Sequence, residues 1–460
     1  MIKQFLVWLD DRSGVVTWTR HALEHPVPRK AGWWYVFGSA TFIAFMLQVV
    51  TGIALATAYV PSSGDAYESL RFITEQALLG RFLRGLHYFG ASAMVVLIGI
   101  HVARVYVMGA YKFPRELNWL TGALLLLLTL ALAFTGQLLR WDQTAVWSVI
   151  VAAAQAGRMP FVGGDLVRFI LAGDTVGGTT LSRFFAFHVF FLPALVFLLV
   201  GLHLWLVLKH GISEPPVEGQ PVDKATYRAR YAELLKRDGV PFWPDAAWRD
   251  VVFGAGVVAL VAILAVVIGP PALGKPPDPS ILQADPRPDW YFLWYFAILA
   301  LTPSHLETTV IIVAPLVFGA VLLLIPFFNT GERSVKRRPW AAMVVLLIVT
   351  IIGAFWFAGE RAPWSPDFAA KPLAAATVRD SSAAVVNGAR LFHEKGCEFC
   401  HVIGGQGGKR GPDLSMVATR MSPLEMVGRI TNGGPNMPQY VSSLSQEELD
   451  AIVAFLATRK

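Results

Sequence analysis

Cys397 and Cys400 stand three residues apart and run straight into His401, in the segment Cys397-Glu398-Phe399-Cys400-His401. Two thiols about one helical turn apart can form thioethers with the vinyl groups of a haem while the adjacent imidazole ligates its iron. A redox-active dithiol would use the same pair, but such dithiols ordinarily follow a strand of a βαβ unit. Here the pair follows a helical segment and precedes a glycine-rich loop, Gly404 to Gly411. Covalent attachment of one c-type haem is the better reading. For its sixth ligand Met416, Met421, Met426 and Met437 compete. Met421 and Met426 fall at or inside a helix capped by Ser422, which fixes their direction. Met437 sits in Gly433-Gly434-Pro435-Asn436-Met437-Pro438, where two glycines permit close backbone approach and Pro438 holds the methionine extended. Met437 is therefore the expected ligand, and its thioether would raise the potential of the haem.

A second set of imidazoles lies in apolar sequence. His87 and His101 are fourteen residues apart, about 21 Å along a helix axis and close to four whole turns, so they share one face at two depths. His188 and His203 are fifteen apart, which turns the second somewhat round the helix but leaves it on a similar side. Two such helices face to face would hold two stacked, non-covalent b-type haems, each between two imidazoles. Gly38 and Gly52, and again Gly122 and Gly136, repeat the fourteen-residue spacing. A residue without a side chain lets a flat macrocycle approach the helix. One intramembrane histidine alone is more often satisfied by its neighbours, but four histidines and four glycines in register argue for cofactor sites. His21, His25, His305 and His393 lack such partners and read as surface or interfacial residues.

What must position these groups is a membrane bundle. Of 460 residues, 55% are hydrophobic and 15% charged, with a mean hydropathy of +0.51 that excludes an ordinary soluble protein. Two cysteines exclude a disulfide scaffold, and their closeness excludes a zinc site of cysteines alone. Apolar spans read at 33–59, 84–107, 117–139, 184–208, 249–269, 308–328 and 339–358, while 291–301 is well short of the roughly 20 residues needed to cross and reads as interfacial or re-entrant. Lysine and arginine crowd before span one and after spans two, four and six, and are sparser in the other loops. That asymmetry places the amino terminus in the cytoplasm and the carboxyl terminus outside, and it accounts for the net charge of +7 without a nucleic-acid partner. Residues 1–30 show no removable signal peptide, so the first span would be the membrane address. Beyond span seven, a polar, proline-bearing tether at 361–380 leads into a small domain at 381–460, whose last helix starts at a Ser445 and Glu448 capping box. An outside location suits haem attachment in a bacterium, where the chain would lie in the inner membrane.

From about residue 20 to 360 the chain resembles the cytochrome b subunit of cytochrome bc and bf complexes. The likeness is carried by Pro114-Arg115-Glu116-Leu117, Trp141-Asp142-Gln143, His210-Gly211-Ile212-Ser213 and Pro288-Asp289-Trp290-Tyr291, and by the fifteen-residue spacing of His188 and His203. It is nearest the short seven-helix type, whose four-helix and three-helix parts, here 1–215 and 216–360, are joined in this chain and followed by a cytochrome c domain. The resemblance implies that His87 and His188 ligate the haem nearer the outside, that His101 and His203 ligate the one nearer the cytoplasm, and that Arg84 lies near a propionate. It implies an outer quinol pocket formed by 141–148, with Trp141, Asp142 and Val146, and by Pro288 to Tyr291. There Asp289 replaces the more familiar glutamate as proton acceptor, with Tyr291 beside it and Trp290 lining the pocket; the plainer alternative for Asp289 is a helix cap. In the resembling c-type cytochromes the segment containing Met416 passes on the His401 side, with the Pro412 carbonyl near the imidazole. Val36 occupies the place of the cysteine that holds a third haem in bf complexes, so that haem is expected to be missing. Lys209 and His210 are the candidates for a cytoplasmic quinone site.

The expected fold is all-α: a seven-helix di-haem bundle and a small helical cytochrome c domain. The expected function is that of a cytochrome b/c fusion subunit of a quinol:cytochrome c oxidoreductase, oxidising quinol at the outer side and passing one electron across the membrane, with proton translocation. That chemistry needs a Rieske iron–sulfur subunit, and a homodimeric complex is the expected setting; a further c-type cytochrome is needed where the attached domain does not replace it. The alternative is a di-haem membrane conduit, or anchor of a dehydrogenase, that never splits the electrons of the quinol.

Overall fold

The computed structural model describes every residue except 278–286, 329–330, 362–366, 368, 379, 434–436, 438–439 and 442. Lipid offers the backbone no hydrogen-bond partner, so apolar runs of crossing length fold as helices. Seven such helices are present among the described residues: Phe37–Ala56, Gly80–Val107, Glu116–Leu138, Gly178–His210, Phe242–Val267, His305–Phe327 and Pro339–Glu360. The chain is a multi-pass, all-helical membrane protein; its sparse β-structure includes a three-residue antiparallel pairing of Pro26–Pro28 with Gly239–Pro241 and an isolated bridge, Ile403 with Gln406. The short apolar segment forms the nine-residue helix Leu293–Leu301.

The chain divides into two units, Met1–Pro277 with Thr309–Gly353, and Asp278–Thr308 with Ala354–Lys460. In the first, spans one and two pack together, spans three and four do likewise, and span five lies against spans one and two. Small residues set the close crossings: a Cβ at Gly85 would stand 2.9 Å from the Ala265 Cβ, and one at Gly254 would stand 2.2 Å from Ile43 Cδ1. Ala40, Ala44, Phe45, Met94, Leu97 and Val196 form an apolar core cluster of this bundle. Beyond the ends of the helices, Arg115 donates to the Tyr227 hydroxyl at 2.7 Å, Tyr227 donates to Glu214 at 2.7 Å, and Arg333 pairs with Glu214 at 2.8 Å. This network ties the segment after span four to the ends of spans two and six.

Span four is not uniform. Between Phe187 and Phe191 it widens into a π-helical turn, in which the Leu192 N–H bonds the Phe187 carbonyl. His188 lies in that turn. The widening takes up one residue, which reconciles the fifteen-residue spacing on this helix with the fourteen on its partner.

In the second unit the small domain is built from Ala383–Glu394, Cys397–Cys400, Pro423–Asn432 and Gln446–Ala457. Its first and last helices cross where Gly388 meets Ala451, since a Cβ there would stand 2.0 Å from the Ala451 carbonyl oxygen. Phe392, Ile403, Met426, Ile452 and Phe455 fill the core. Capping boxes at Ser422 with Glu425 and at Ser445 with Glu448 start two of the helices. Part of the tether differs from a free linker. The Asp367 N–H bonds the Phe399 carbonyl at 2.7 Å, the Ala374 N–H bonds Gln406 Oε1 at 3.0 Å, and Arg459 holds the Thr377 carbonyl at 2.6 Å.

Candidate functional site

The four membrane histidines sort into two layers. His87 of span two and His188 of span four oppose each other with ring centroids 6.2 Å apart and ring planes at 75°. An imidazole nitrogen lies about 2.0–2.1 Å from a metal it ligates, so the gap accommodates one metal between two rings. Each histidine is faced by the glycine whose depth matches it. A Cβ at Gly52 would stand 3.3 Å from His87 Cε1, and one at Gly136 only 2.6 Å from His188 Cε1. In the other layer a Cβ at Gly38 would stand 3.0 Å from His101 Cε1, and one at Gly122 would stand 3.5 Å from His203 Cε1.

Threonines fix the imidazoles. Thr51, Thr121 and Thr135 each donate their hydroxyl hydrogen to the carbonyl four residues back, at 2.6, 3.0 and 2.8 Å. Each oxygen is left to accept, and it lies 2.9 Å from His87 Nδ1, 2.8 Å from His203 Nδ1 and 3.2 Å from His188 Nδ1 respectively. The proton therefore sits on Nδ1 and the Nε2 lone pair faces inward, as a metal ligand requires. Phe37 precedes Gly38, so His101 has no matching threonine on that helix. These threonines escaped the reading of the sequence, although the Thr-Gly pairs at 51–52, 121–122 and 135–136 were a visible signal. The glycine cradle and the oriented rings fit flat, metal-bearing groups.

Arg84 is buried and holds Thr74 Oγ1 at 3.1 Å and the Pro271 carbonyl at 2.9 Å. Its counterpart at the other layer is Arg104, three residues after His101 as Arg84 is three before His87. The Arg104 guanidinium stacks on Tyr35 at 3.6 Å, with Nε and Nη2 buried and, among the described residues, without an acceptor. Near the same layer, Ser39 beside Gly38 donates to Asp250 at 2.5 Å. By contrast Lys209 lies over the Trp205 ring at 4.7 Å, and the His210 carbonyl accepts from Arg115 at 3.1 Å.

The first quinol-pocket segment is tightly built. Asp142 is 2% exposed; its Oδ1 caps the helix Gln143–Ala156 through the Ala145 N–H at 2.9 Å and its Oδ2 accepts from the Gly274 N–H at 3.2 Å. Trp141 is buried at a left-handed φ of 47°, unusual for a bulky residue, and donates to the Ser63 carbonyl at 3.1 Å. Val146 packs on the same cluster. In the second unit, Pro288 and Asp289 are half-buried and Trp290 is exposed. The Tyr291 hydroxyl donates to Asp289 Oδ2 at 2.9 Å. The helix Leu293–Leu301 has Phe292 at its N-cap and no side-chain cap, so Asp289 does not cap it.

In the small domain burial pushes the Cys397 thiol up to about 12 and raises that of Cys400 as well. A redox dithiol needs the opposite shift. His401 Nδ1 donates to the Pro412 carbonyl at 2.9 Å, leaving Nε2 for a metal, and Gly411 makes room, since a Cβ there would stand 2.5 Å from His401 Cε1. Met437 is half-buried against the core, Met416 is 57% exposed, and Met426 is a core residue of its helix. Of the segment around Met437, Gly434 to Asn436 and Pro438 lie outside the described residues. His393 is more than a surface residue. It pairs at 3.0 Å with Glu398, a fully buried carboxylate whose pKa burial raises.

Opposed imidazoles between glycine-faced membrane helices, with a Cys-x-x-Cys-His segment in an appended helical domain, define a membrane protein of electron transfer. Residues 22–211 match the family described as cytochrome b/b6/petB, residues 276–378 the family cytochrome b(C-terminal)/b6/petD, and residues 383–456 the family cytochrome c oxidase, cbb3-type, subunit III. Cytochrome b of Rickettsia prowazekii is 33% identical over 359 residues, covering 75% of this chain and 86% of that protein. The menaquinol:cytochrome c reductase cytochrome b subunit of Bacillus subtilis is 39% identical over 224 residues, covering 47% of this chain and all of that protein. A hyperthermophilic respiratory complex III structure aligns with a TM-score of 0.66 at 26% identity, over 78% of this chain and 92% of that one. The chain belongs to the cytochrome b family. Haem is its implied cofactor.

Proposed function

We propose that this chain is a cytochrome b/c fusion subunit of a bc-type quinol:cytochrome c oxidoreductase, carrying two b haems and one covalent c haem. The observation that carries the reading is the pair of imidazole layers, each faced by two glycines at matching depth. Bound haem supplies one-electron redox chemistry; the chain supplies ligation, orientation and proton acceptance. His87 with His188 and His101 with His203 would ligate the b haems, Arg84 and Arg104 would meet their carboxylates, and Cys397, Cys400 and His401 would hold the c haem with Met437 as its further ligand. In the second unit Asp289, held by the Tyr291 hydroxyl and flanked by Pro288 and Trp290, takes a proton from quinol; in the first unit Trp141, Asp142 and Val146 are the quinol-binding candidates. For a cytoplasmic quinone site the proton-handling candidates are Lys209 with His210 and, in addition, Asp250 with Ser39.

The basic loops support an amino terminus in the cytoplasm of a bacterium and a c domain outside. The two cysteines are committed to haem, so the high-potential acceptor is a separate Rieske iron–sulfur subunit in a homodimeric complex. The attached c domain either replaces or supplements a further c-type cytochrome. We assign 1–215 to the four-helix haem part, 216–360 to the three-helix part, 361–380 to the linker and 381–460 to the c domain. A conduit that never splits electrons would need neither spans five to seven nor the 288–291 segment.

The test is the purified native complex. Acid-acetone extraction should leave one haem of three on the chain, and quinol should reduce cytochrome c in a reaction that requires the Rieske partner. Full turnover without that partner would reject the proposed electron split.

Replacing Met437 by alanine should abolish the sulfur-to-iron charge-transfer band of the oxidised c haem and lower its potential, with attachment at Cys397 and Cys400 intact. If the band survives there and vanishes in Met416→Ala, the ligand is Met416.

A further inference from the structure

Gln48 places a carboxamide inside the first span, Phe37–Ala56, between Gly38 and Gly52. Its Nε2 is buried and meets no hydrogen-bond acceptor among the described residues. The amide lies against Gly90 of span two, where an added Cβ would stand 2.1 Å from Nε2 and 3.4 Å from Cδ. No side chain but hydrogen at position 90 leaves the amide where it is.

Helical register gives the depth. Gln48 is four residues from Gly52, and Gly90 is three from His87. Each has moved about 4.5–6 Å from the His87 and His188 layer towards the other, while Gln48 remains about 15 Å short of Gly38. The amide thus sits between the layers and beside the first. An unpaired N–H in an apolar interior is unfavourable, and polar side chains persist in membrane cores chiefly where function uses them.

We propose that Gln48 is a positioning residue whose carboxamide N–H, held in place by the gap at Gly90, is directed at the haem between His87 and His188 and raises that haem's potential relative to the other. The proposal rests on the haem reading above. The physical cause is the positive end of the N–H dipole, which favours the state carrying the extra electron and needs no reorganisation when the electron arrives. Polarity this close to one site acts far less on a site a further turn or more away, so the two haems are affected unequally.

The test is a potentiometric titration of the b-haem absorbance in the purified complex. Gln48→Leu keeps the bulk and removes the donor. Gly90→Ala keeps the donor and displaces it. Both should lower the potential of one b haem, the one that Gly136→Val removes, with Gln48→Leu shifting its reduction equilibrium by about tenfold, or about 59 mV. The other b haem should stay where it was. Unmoved potentials, or equal movement of both, at full haem content would overturn the proposal. Where Gln48→Leu loses haem, Gly90→Ala decides. A wild-type complex without two b haems would instead overturn the reading on which it rests.

Discussion

Gly136→Val should empty the site at His188 of its haem and reduce quinol oxidation by more than about 10²-fold, equivalent to over about 2.7 kcal/mol of barrier. The Cβ of any residue at position 136 would stand 2.6 Å from His188 Cε1 and 3.1 Å from Nε2. Neither side can yield. The ring is held at Nδ1 by Thr135, the next residue on the same helix as the glycine, so moving the ring away breaks the bond that orients it. Moving the helix away opens the packing of spans three and four, and valine adds two further methyl groups to the overlap. Half of the b-haem absorbance should go, with the c haem untouched. Gly99→Ala in span two and Gly201→Ala in span four are the controls, because a Cβ at either meets nothing within 4 Å. Both should keep full haem. Equal losses in the controls would mean that any glycine change unsettles these helices, and that the facing of glycine and imidazole is incidental.

Asp289→Asn should retain all haem and slow quinol oxidation by about 10²-fold, the lower end for removal of one general base. Asparagine keeps the shape and an oxygen to accept from the Tyr291 hydroxyl, now at 2.9 Å, but it cannot take a proton. Rescue of the rate by rising pH would fit a proton leaving directly to water. Tyr291→Phe should cost less, since it loosens the carboxylate without removing it. Turnover of Asp289→Asn equal to wild type at every pH would show that the proton leaves by another group.

The layering of glycines and histidines was legible where it is written in spacing along one helix. The fourteen-residue intervals put glycines and histidines at common depths, and each glycine does face its histidine. Cys397 to His401 needed only local pattern, and so did the caps at Ser422 and Ser445. What escaped depends on two segments meeting. Thr51 reaches His87 across thirty-six residues and Ser39 reaches Asp250 across 211, and no periodicity within a window encodes either pairing. Arg104 was missed although its place mirrors that of Arg84, because a basic residue near the end of a span reads first as topology. Asp142 carries two roles: a short motif marks it as a quinol-site candidate, and its oxygens also close backbone N–H groups of Ala145 and Gly274, the latter a pairing no local motif encodes. His393 looked solitary because its partner, Glu398, sits inside a segment already explained by the cysteines.

The widened turn at Phe187–Phe191 bears on chain length as a heritable quantity. From Leu192 to His210 span four is regular, so an inserted or deleted residue between 192 and 203 would rotate His203 by about 100° away from its facing ring. Within Val189 to Phe191 a deletion only turns the π turn into an α turn, and both histidines keep their bearings. Histidine spacings of fourteen and fifteen are then two lengths of one architecture, separated by a single codon. The tolerance for that codon is confined to the turn that also carries His188.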